Sequence, residues 1–242
     1  DARLRLLERP DLRVYNVHAN AVDVAELGLA LLFALSRRVV PLDQALRRGA
    51  WERDSGIRLA GRRALILGYG AIGRELATRL QALGLYVTAI RARGPFGHDQ
   101  VAEVHPAHAL EMLLPSADVV INTLPLVPDT EALLEAYELA LLPRGALVLN
   151  LGRGETIDEH ALFEALQSGQ VGGAGLDVWW QYGGERPCTQ DFEAMDNVVF
   201  SPHRGGQVDI TEDERSAAVD ALLRELERGD VPASAVDVQR GY

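Results

Sequence analysis

The chain has 242 residues, 48% of them hydrophobic, enough to fill one large or two small cores. Its formal charge of −11 argues against nucleic acid or an anionic membrane surface as the main partner, while leaving room for a local basic pocket. Cys188 is the only cysteine, which excludes an intrachain disulfide and a cysteine-based zinc site. No metal is expected, and a reducing, cytoplasmic setting is the simplest reading. The longest apolar stretch, 27–35, is too short to span a bilayer, and the start at Asp1 shows no signal-peptide pattern.

Taken in chain order, a short β-like run at 12–17 follows Pro10. Asn20 is placed to cap a helix running to about Val39, with Pro41 as its stop. A shorter helix, 42–48, ends at Gly49. From Leu59 onward the pattern alternates. Strands are predicted at 63–68, 85–90, 118–122, 145–150, 172–178 and 197–200, and helices near 72–83, 107–114, 130–141 and 158–168. The runs at 118–122 and 146–150 are continuously apolar, as expected for parallel strands covered on both faces. The alternation implies βαβ units: an α/β fold, a Rossmann-type doubly wound parallel sheet with helices on both faces. A last helix, 211–226, precedes Gly229.

The most specific motif is Gly68-Tyr69-Gly70-Ala71-Ile72-Gly73, between the first predicted strand and its helix. Gly68 allows the tight turn, Gly70 lets the backbone approach a pyrophosphate, and Gly73 lets helix and strand pack closely. The helix start at Ala71 and Ile72 offers N–H groups and a positive dipole end to the anion. Where an NAD-type fingerprint has an acidic residue for the ribose 2′-hydroxyl, this chain has Arg91, with Arg93 close behind. A guanidinium binds phosphate bidentately, so NADP is the expected cofactor, with NAD possible. Two solvated arginines after a strand are the plainer alternative.

In such sheets ligands bind beyond the carboxyl ends of the strands. The segments 122–125, 150–154, 176–178 and 201–206 stand there, and Thr123, Pro125, Leu151 and Gly152 read as cofactor-lining positions. The same ends offer a cation (Arg153), a carboxylate (Asp177) and an imidazole (His203). Hydride transfer to a carbonyl needs a proton donor at oxygen and a cation that holds a carboxylate and polarises the carbonyl. His203 and Arg153 suit those roles. Singly, each has an ordinary reading: a solvated histidine, an arginine paired with Glu155, an aspartate in a turn. Their joint placement at consecutive strand ends favours chemistry.

These segments, in this order, resemble the NAD(P)-binding region of the D-isomer-specific 2-hydroxyacid dehydrogenases. The matching stretches are Asn20 to Glu26, Gly68 to Gly73, Leu124 to Thr130, Asn150 to Gly154 with Ile157-Asp158, Gly175 to Val178, and Asn197 to His203. The resemblance implies that Arg153 binds the substrate carboxylate and carbonyl, that His203 is the acid/base, and that Asp177 touches the nicotinamide carboxamide. It also implies a small 2-oxo or 2-hydroxy acid as substrate, and a homodimer through the helix that opens at Asn20 and runs to Arg38. Two departures stand out. The family's histidine usually pairs with a Glu five residues after that Asp, where this chain has Tyr182. Glu185 from a longer loop is the favoured catalytic partner, with Gln181 and Tyr182 as alternatives. Second, only nineteen residues precede the helix. Residues 1–19 therefore read as the remnant of a flavodoxin-like substrate domain, 20–206 as the NAD(P)-binding domain, and 207–242 as a helix and tail returning to the substrate domain. The leading expectation is an oxidoreductase acting on a 2-hydroxy acid. Its rival is a dinucleotide-sensing oligomer or scaffold with weak or absent catalysis.

Overall fold

A computed structural model describes residues 12–183, 186–209, 211–230, 232 and 234–236. Eight strands form one sheet in the order β3-β4-β2-β1-β5-β6-β7-β8. They are β1 (Arg63–Leu67), β2 (Tyr86–Arg91), β3 (Gly97–His98), β4 (Glu103–Pro106), β5 (Val119–Asn122), β6 (Ala146–Asn150), β7 (Val171–Leu176) and β8 (Val198–Phe200). All neighbours run parallel except β3, which pairs antiparallel with β4 at the edge. Strand order reverses between β1 and β5, the point at which open α/β sheets leave a crevice for ligands.

The helices are α1 (Ala21–Ser36), α2 (Val39–Arg47), α3 (Ala71–Ala82), α4 (Leu110–Leu113), α5 (Ala136–Leu141), α6 (Glu159–Gln167) and α7 (Thr211–Glu227). The continuous apolar runs now have their explanation. Leu65, Leu67, Val120, Val148, Ala174 and Leu176 face one side of the sheet, joining the cluster that includes Leu139 of α5 and Leu162 of α6. Ala64, Ile66, Val119, Ile121, Leu147 and Leu149 face the other, packing with α1 and α3. Period-two alternation is present, but both faces are buried, so no polar face interrupts the sequence. α1 lies close on β7 because Gly175 has no side chain: a Cβ there meets the Leu31 Cβ at 3.1 Å.

Several boundaries differ from the sequence-based expectation. Asn20 does not cap α1 with its side chain; its amide lies against Gly206, where an added Cβ would sit 2.3 Å from Nδ2. Pro41 does not end a helix either. α1 stops at Ser36, and Pro41 falls in the first turn of α2, where a missing N–H costs nothing. The predicted helix at 130–141 is helical only over α5; ahead of it Leu134 bridges Ile157 instead. The helix at 107–114 is a 3-10 turn, the single turn α4 and a second 3-10 turn. The β-like run at 12–17 is reduced to one bridge, Tyr15 with Ala235, which joins the two ends of the described chain. Strands β3 and β4 were not predicted.

Candidate active site

Register makes the site. Leu67 lies level with Ile90 on one side and with Asn122 on the other; Asn122 is level with Asn150, Asn150 with Leu176, and Leu176 with Phe200. The segments that follow, beginning at Gly68, Arg91, Thr123, Leu151, Asp177 and Ser201, therefore emerge along one rim.

At the first of these, Gly68 has φ +95°, a conformation that favours glycine. Thr123 Oγ1 donates to the carbonyls of Gly68 (2.7 Å) and Leu67 (3.1 Å), clamping the turn. Gly73 is obligatory, because a Cβ there would lie 2.2 Å from the Gly68 carbonyl oxygen. A Cβ at Gly70, by contrast, meets nothing within 4 Å. Gly70 precedes α3 without a side-chain cap. The half-buried Ala71 and Ile72 open the helix, so its first N–H groups face an open cradle of the kind a pyrophosphate fills.

Arg91 ends β2, half-buried, and Arg93 follows exposed. Burial, and then the nearby Arg74 guanidinium, pull the Arg91 pKa below its ordinary value. Arg74 lies over the ring of buried Tyr69, 5.6 Å from its centroid. The Tyr69 hydroxyl donates to Asp99 Oδ2 at 2.5 Å. Burial, followed by the bond to Asp99, pushes this hydroxyl far above the usual range. Burial alone would raise the Asp99 carboxyl. Hydrogen bonds from Tyr69 and from the Val101 and Ala102 N–H groups outweigh it and hold the pKa down. Sequence reasoning missed Arg74, Tyr69 and Asp99 as a unit; the only signal was a third arginine next to the glycine turn.

A buried polar network shapes the loop that carries Arg153. Asn122 Nδ2 donates to Asn150 Oδ1 (3.0 Å) and Thr156 Oγ1 (2.5 Å), and its Oδ1 accepts from the Leu124 N–H. Asn150 Oδ1 accepts from the Gly152 N–H, while Asn150 Nδ2 and Thr156 Oγ1 both donate to the Arg153 carbonyl. Two glycines flank the arginine for steric reasons. A Cβ on Gly152 would lie 2.4 Å from the Leu124 carbonyl oxygen, and one on Gly154 2.3 Å from that of Trp179. The Arg153 side chain is exposed, with Nη1 donating to the Gly152 carbonyl at 2.6 Å rather than pairing with Glu155. Leu151 directly follows the end of β6. Its side chain packs inward against Gly28 and Leu76, leaving only its backbone at the rim. Pro125 is exposed at the next strand end.

Asp177 is buried and holds the last loop in place. Its Oδ1 accepts from Ser201 Oγ (2.5 Å) and the Arg204 N–H (2.8 Å), and its Oδ2 from the Gly205 N–H (3.0 Å). These bonds bracket His203, whose backbone sits in the left-handed region at φ +55° and whose side chain is exposed. Trp179 Nε1 donates to the Ser201 carbonyl, and the Trp179 ring stacks on Phe200. The Tyr182 ring lies 5.5 Å from the His203 ring at 51°, and its hydroxyl oxygen accepts from the Trp179 N–H. A cleft of about 560 Å³ opens beside His203, lined by Tyr182, Gln181, Arg186 and Gln207 among others but not by Arg153. Glu185, the favoured partner for His203, lies outside the described residues.

A doubly wound sheet with a glycine cradle at its switch point defines a dinucleotide-binding α/β domain. The chain belongs to the D-isomer specific 2-hydroxyacid dehydrogenases: the NAD-binding-domain model of that family matches residues 29–205. It is 30% identical to D-3-phosphoglycerate dehydrogenase from Methanocaldococcus jannaschii over 91% of this chain and 42% of that protein. It is 34% identical to glycerate dehydrogenase from Methylorubrum extorquens over 79% of this chain and 61% of that one. The chain thus spans from two-fifths to three-fifths of the length of these curated relatives. Among solved structures, a D-isomer specific 2-hydroxyacid dehydrogenase from Xanthobacter autotrophicus Py2, in complex with NADPH and MES, superposes with a TM-score of 0.84. Its identity is 30%, with 98% of each chain covered. The NADPH-dependent glyoxylate/hydroxypyruvate reductase of Sinorhizobium meliloti, in complex with NADP and sulfate, has a TM-score of 0.83 at 25% identity, covering 97% of this chain and 74% of that one.

Proposed function

We propose that this chain is the cofactor-binding and acid–base part of an NADP(H)-dependent oxidoreductase that reduces a 2-oxo acid to a 2-hydroxy acid, or runs the reverse. The level register of the strand ends carries this reading, since it sets the glycine cradle, Arg91, Arg153 and His203 on one rim. A bound nicotinamide supplies the hydride, which goes to the substrate's carbonyl carbon. Arg153 holds the carboxylate and draws electron density toward the carbonyl oxygen. His203 gives its proton to that oxygen, completing the hydroxyl. Gly68, Gly70, Ala71, Ile72 and Gly73 hold the pyrophosphate, Arg91 and Arg93 the 2′-phosphate. The NADPH and NADP held in the Xanthobacter and Sinorhizobium structures support the cofactor choice. Asp177 keeps the His203 loop in place and faces the carboxamide.

A homodimer is part of the proposal. Val22 and Phe33 lie three turns apart on one face of α1, 40% and 41% exposed, with Leu46 and Trp51 exposed nearby in sequence. The paired segments 14–16 and 234–236 belong, on this reading, to the remnant of the substrate domain. A cytoplasmic setting fits the single buried thiol. Among the described residues no helix is long and apolar enough to cross a membrane.

A second reading, a dinucleotide-sensing module without turnover, is favoured by Tyr182 standing against His203 where the family pattern has a Glu. Oxidation of NADPH with glyoxylate, hydroxypyruvate, pyruvate and a bulky 2-oxo acid separates the two. The enzyme reading predicts turnover with at least one acid. It also predicts a loss of about 10²- to 10³-fold in kcat/KM for Arg153→Ala, the scale of removing one electrostatic contact to the reacting oxygen. Micromolar cofactor binding with no turnover for any acid selects the module.

A further inference from the structure

Resting on the NADP(H) reading, we propose that Arg74 is a third cation for the cofactor's 2′-phosphate, and that the Tyr69–Asp99 pair is the device that positions it. The second arginine of a phosphate site is ordinarily sought after β2, where Arg91 and Arg93 stand. Arg74 comes from a different element, the first turn of α3, immediately after the last glycine of the cradle. Its guanidinium is exposed, yet it is laid over the Tyr69 ring at 5.6 Å instead of trailing into solvent. A guanidinium held over a ring face keeps its edge donors available for a bidentate anion. The Tyr69 N–H donates to the Ile90 carbonyl at 3.1 Å, one residue before Arg91, so the ring that carries Arg74 sits at the end of β2 where Arg91 and Arg93 follow.

Three like charges there repel one another, and Asp99 is what offsets them. Its carboxylate is tied back by three donors: the Tyr69 hydroxyl at 2.5 Å and the N–H groups of Val101 and Ala102 at 2.9 Å each. With both oxygens engaged, Asp99 is held back toward the 97–102 segment while it lends countercharge to the arginines. The Tyr69 hydroxyl is the link. It arrives from the glycine turn and fixes the 97–102 segment, which supplies β3, against the cradle. Tyr69 and Asp99 are thus positioning residues, and Arg74 is the group that meets the ligand.

The test uses the whole chain and two probes that report on this subsite alone: adenosine 2′,5′-bisphosphate and 5′-AMP, titrated by calorimetry. For the native chain the bisphosphate binds tighter. Arg74→Ala lowers the ratio of the two affinities about tenfold with 5′-AMP binding unchanged, and Arg74→Lys, which keeps charge but not the fork, recovers part of it. Tyr69→Phe, which frees Asp99 toward the arginines, lowers the same ratio several-fold and again spares 5′-AMP. An unchanged ratio in Arg74→Ala overturns the inference while leaving the NADP(H) reading standing. A loss of 5′-AMP binding in parallel overturns it too, since Arg74 then only supports the adenosine pocket. If the native chain binds both probes equally, the NADP(H) reading itself fails and takes this inference with it.

Discussion

At the scale of single residues, position along the rim decided what was readable. Arg153 and His203 stand at ends of apolar runs, so their place in the fold followed from the strand pattern before any contact was known. Arg74 and Asp99 gave no such pattern, because their link passes through Tyr69, thirty residues before Asp99. A hydrogen bond of that span leaves no periodic trace. Asp177 carries three hydrogen bonds that shape the histidine loop, a role the sequence did not disclose. Cys188 shows burial overriding chemistry. It is 3% exposed, and burial first, then Glu159 and Glu193, push its thiol above the ordinary value. A raised pKa means less thiolate, the reactive form, at neutral pH. The native chain is therefore expected to resist a disulfide reagent near neutrality and to react at once when unfolded; rapid labelling of the folded chain counts against this packing.

At the scale of elements, the long buried strands were legible to within a residue or two, because both faces are apolar and the run cannot be mistaken for a loop. β3 and β4 were not, being two and four residues long at the sheet edge, with Val104 their one buried position. The helix expected at 130–141 shrank because Leu134 spends its backbone on a bridge to Ile157, a tertiary contact that overrides local propensity. The rim itself depends on the asparagine pair at the ends of β5 and β6. Both occupy the same position after an apolar run, a repetition visible in the sequence whose meaning needed the register. Replacing Asn150 with Ala leaves buried partners on Asn122 and the Gly152 N–H unsatisfied. It should cost about 1–3 kcal/mol in chemical denaturation. A neutral result would show that water replaces the amide and that the Arg153 loop does not rely on it.

At the scale of the whole molecule, the doubly wound architecture was the most predictable feature and the partner surfaces the least. Fold class follows from alternation and from strands buried on both faces. Oligomeric state depends on which apolar residues stay exposed, and α1 is apolar nearly all round, so its sequence alone does not reveal the outward face. The structure leaves Val22 and Phe33 outward. Phe33→Asp is expected to halve the mass seen by light scattering while leaving the thermal transition of the folded unit in place. A native chain that is already monomeric at micromolar concentration removes the dimer from the proposal.

The arginines that replace an acidic residue at the end of β2, set beside an open glycine cradle, make cofactor choice the centre of the account. Fluorescence titration of the chain with NADPH and with NADH tests it most directly. NADPH is expected to bind at least tenfold tighter, the scale of one charge-assisted phosphate contact; equal affinities, or tighter NADH, contradict the NADP(H) assignment.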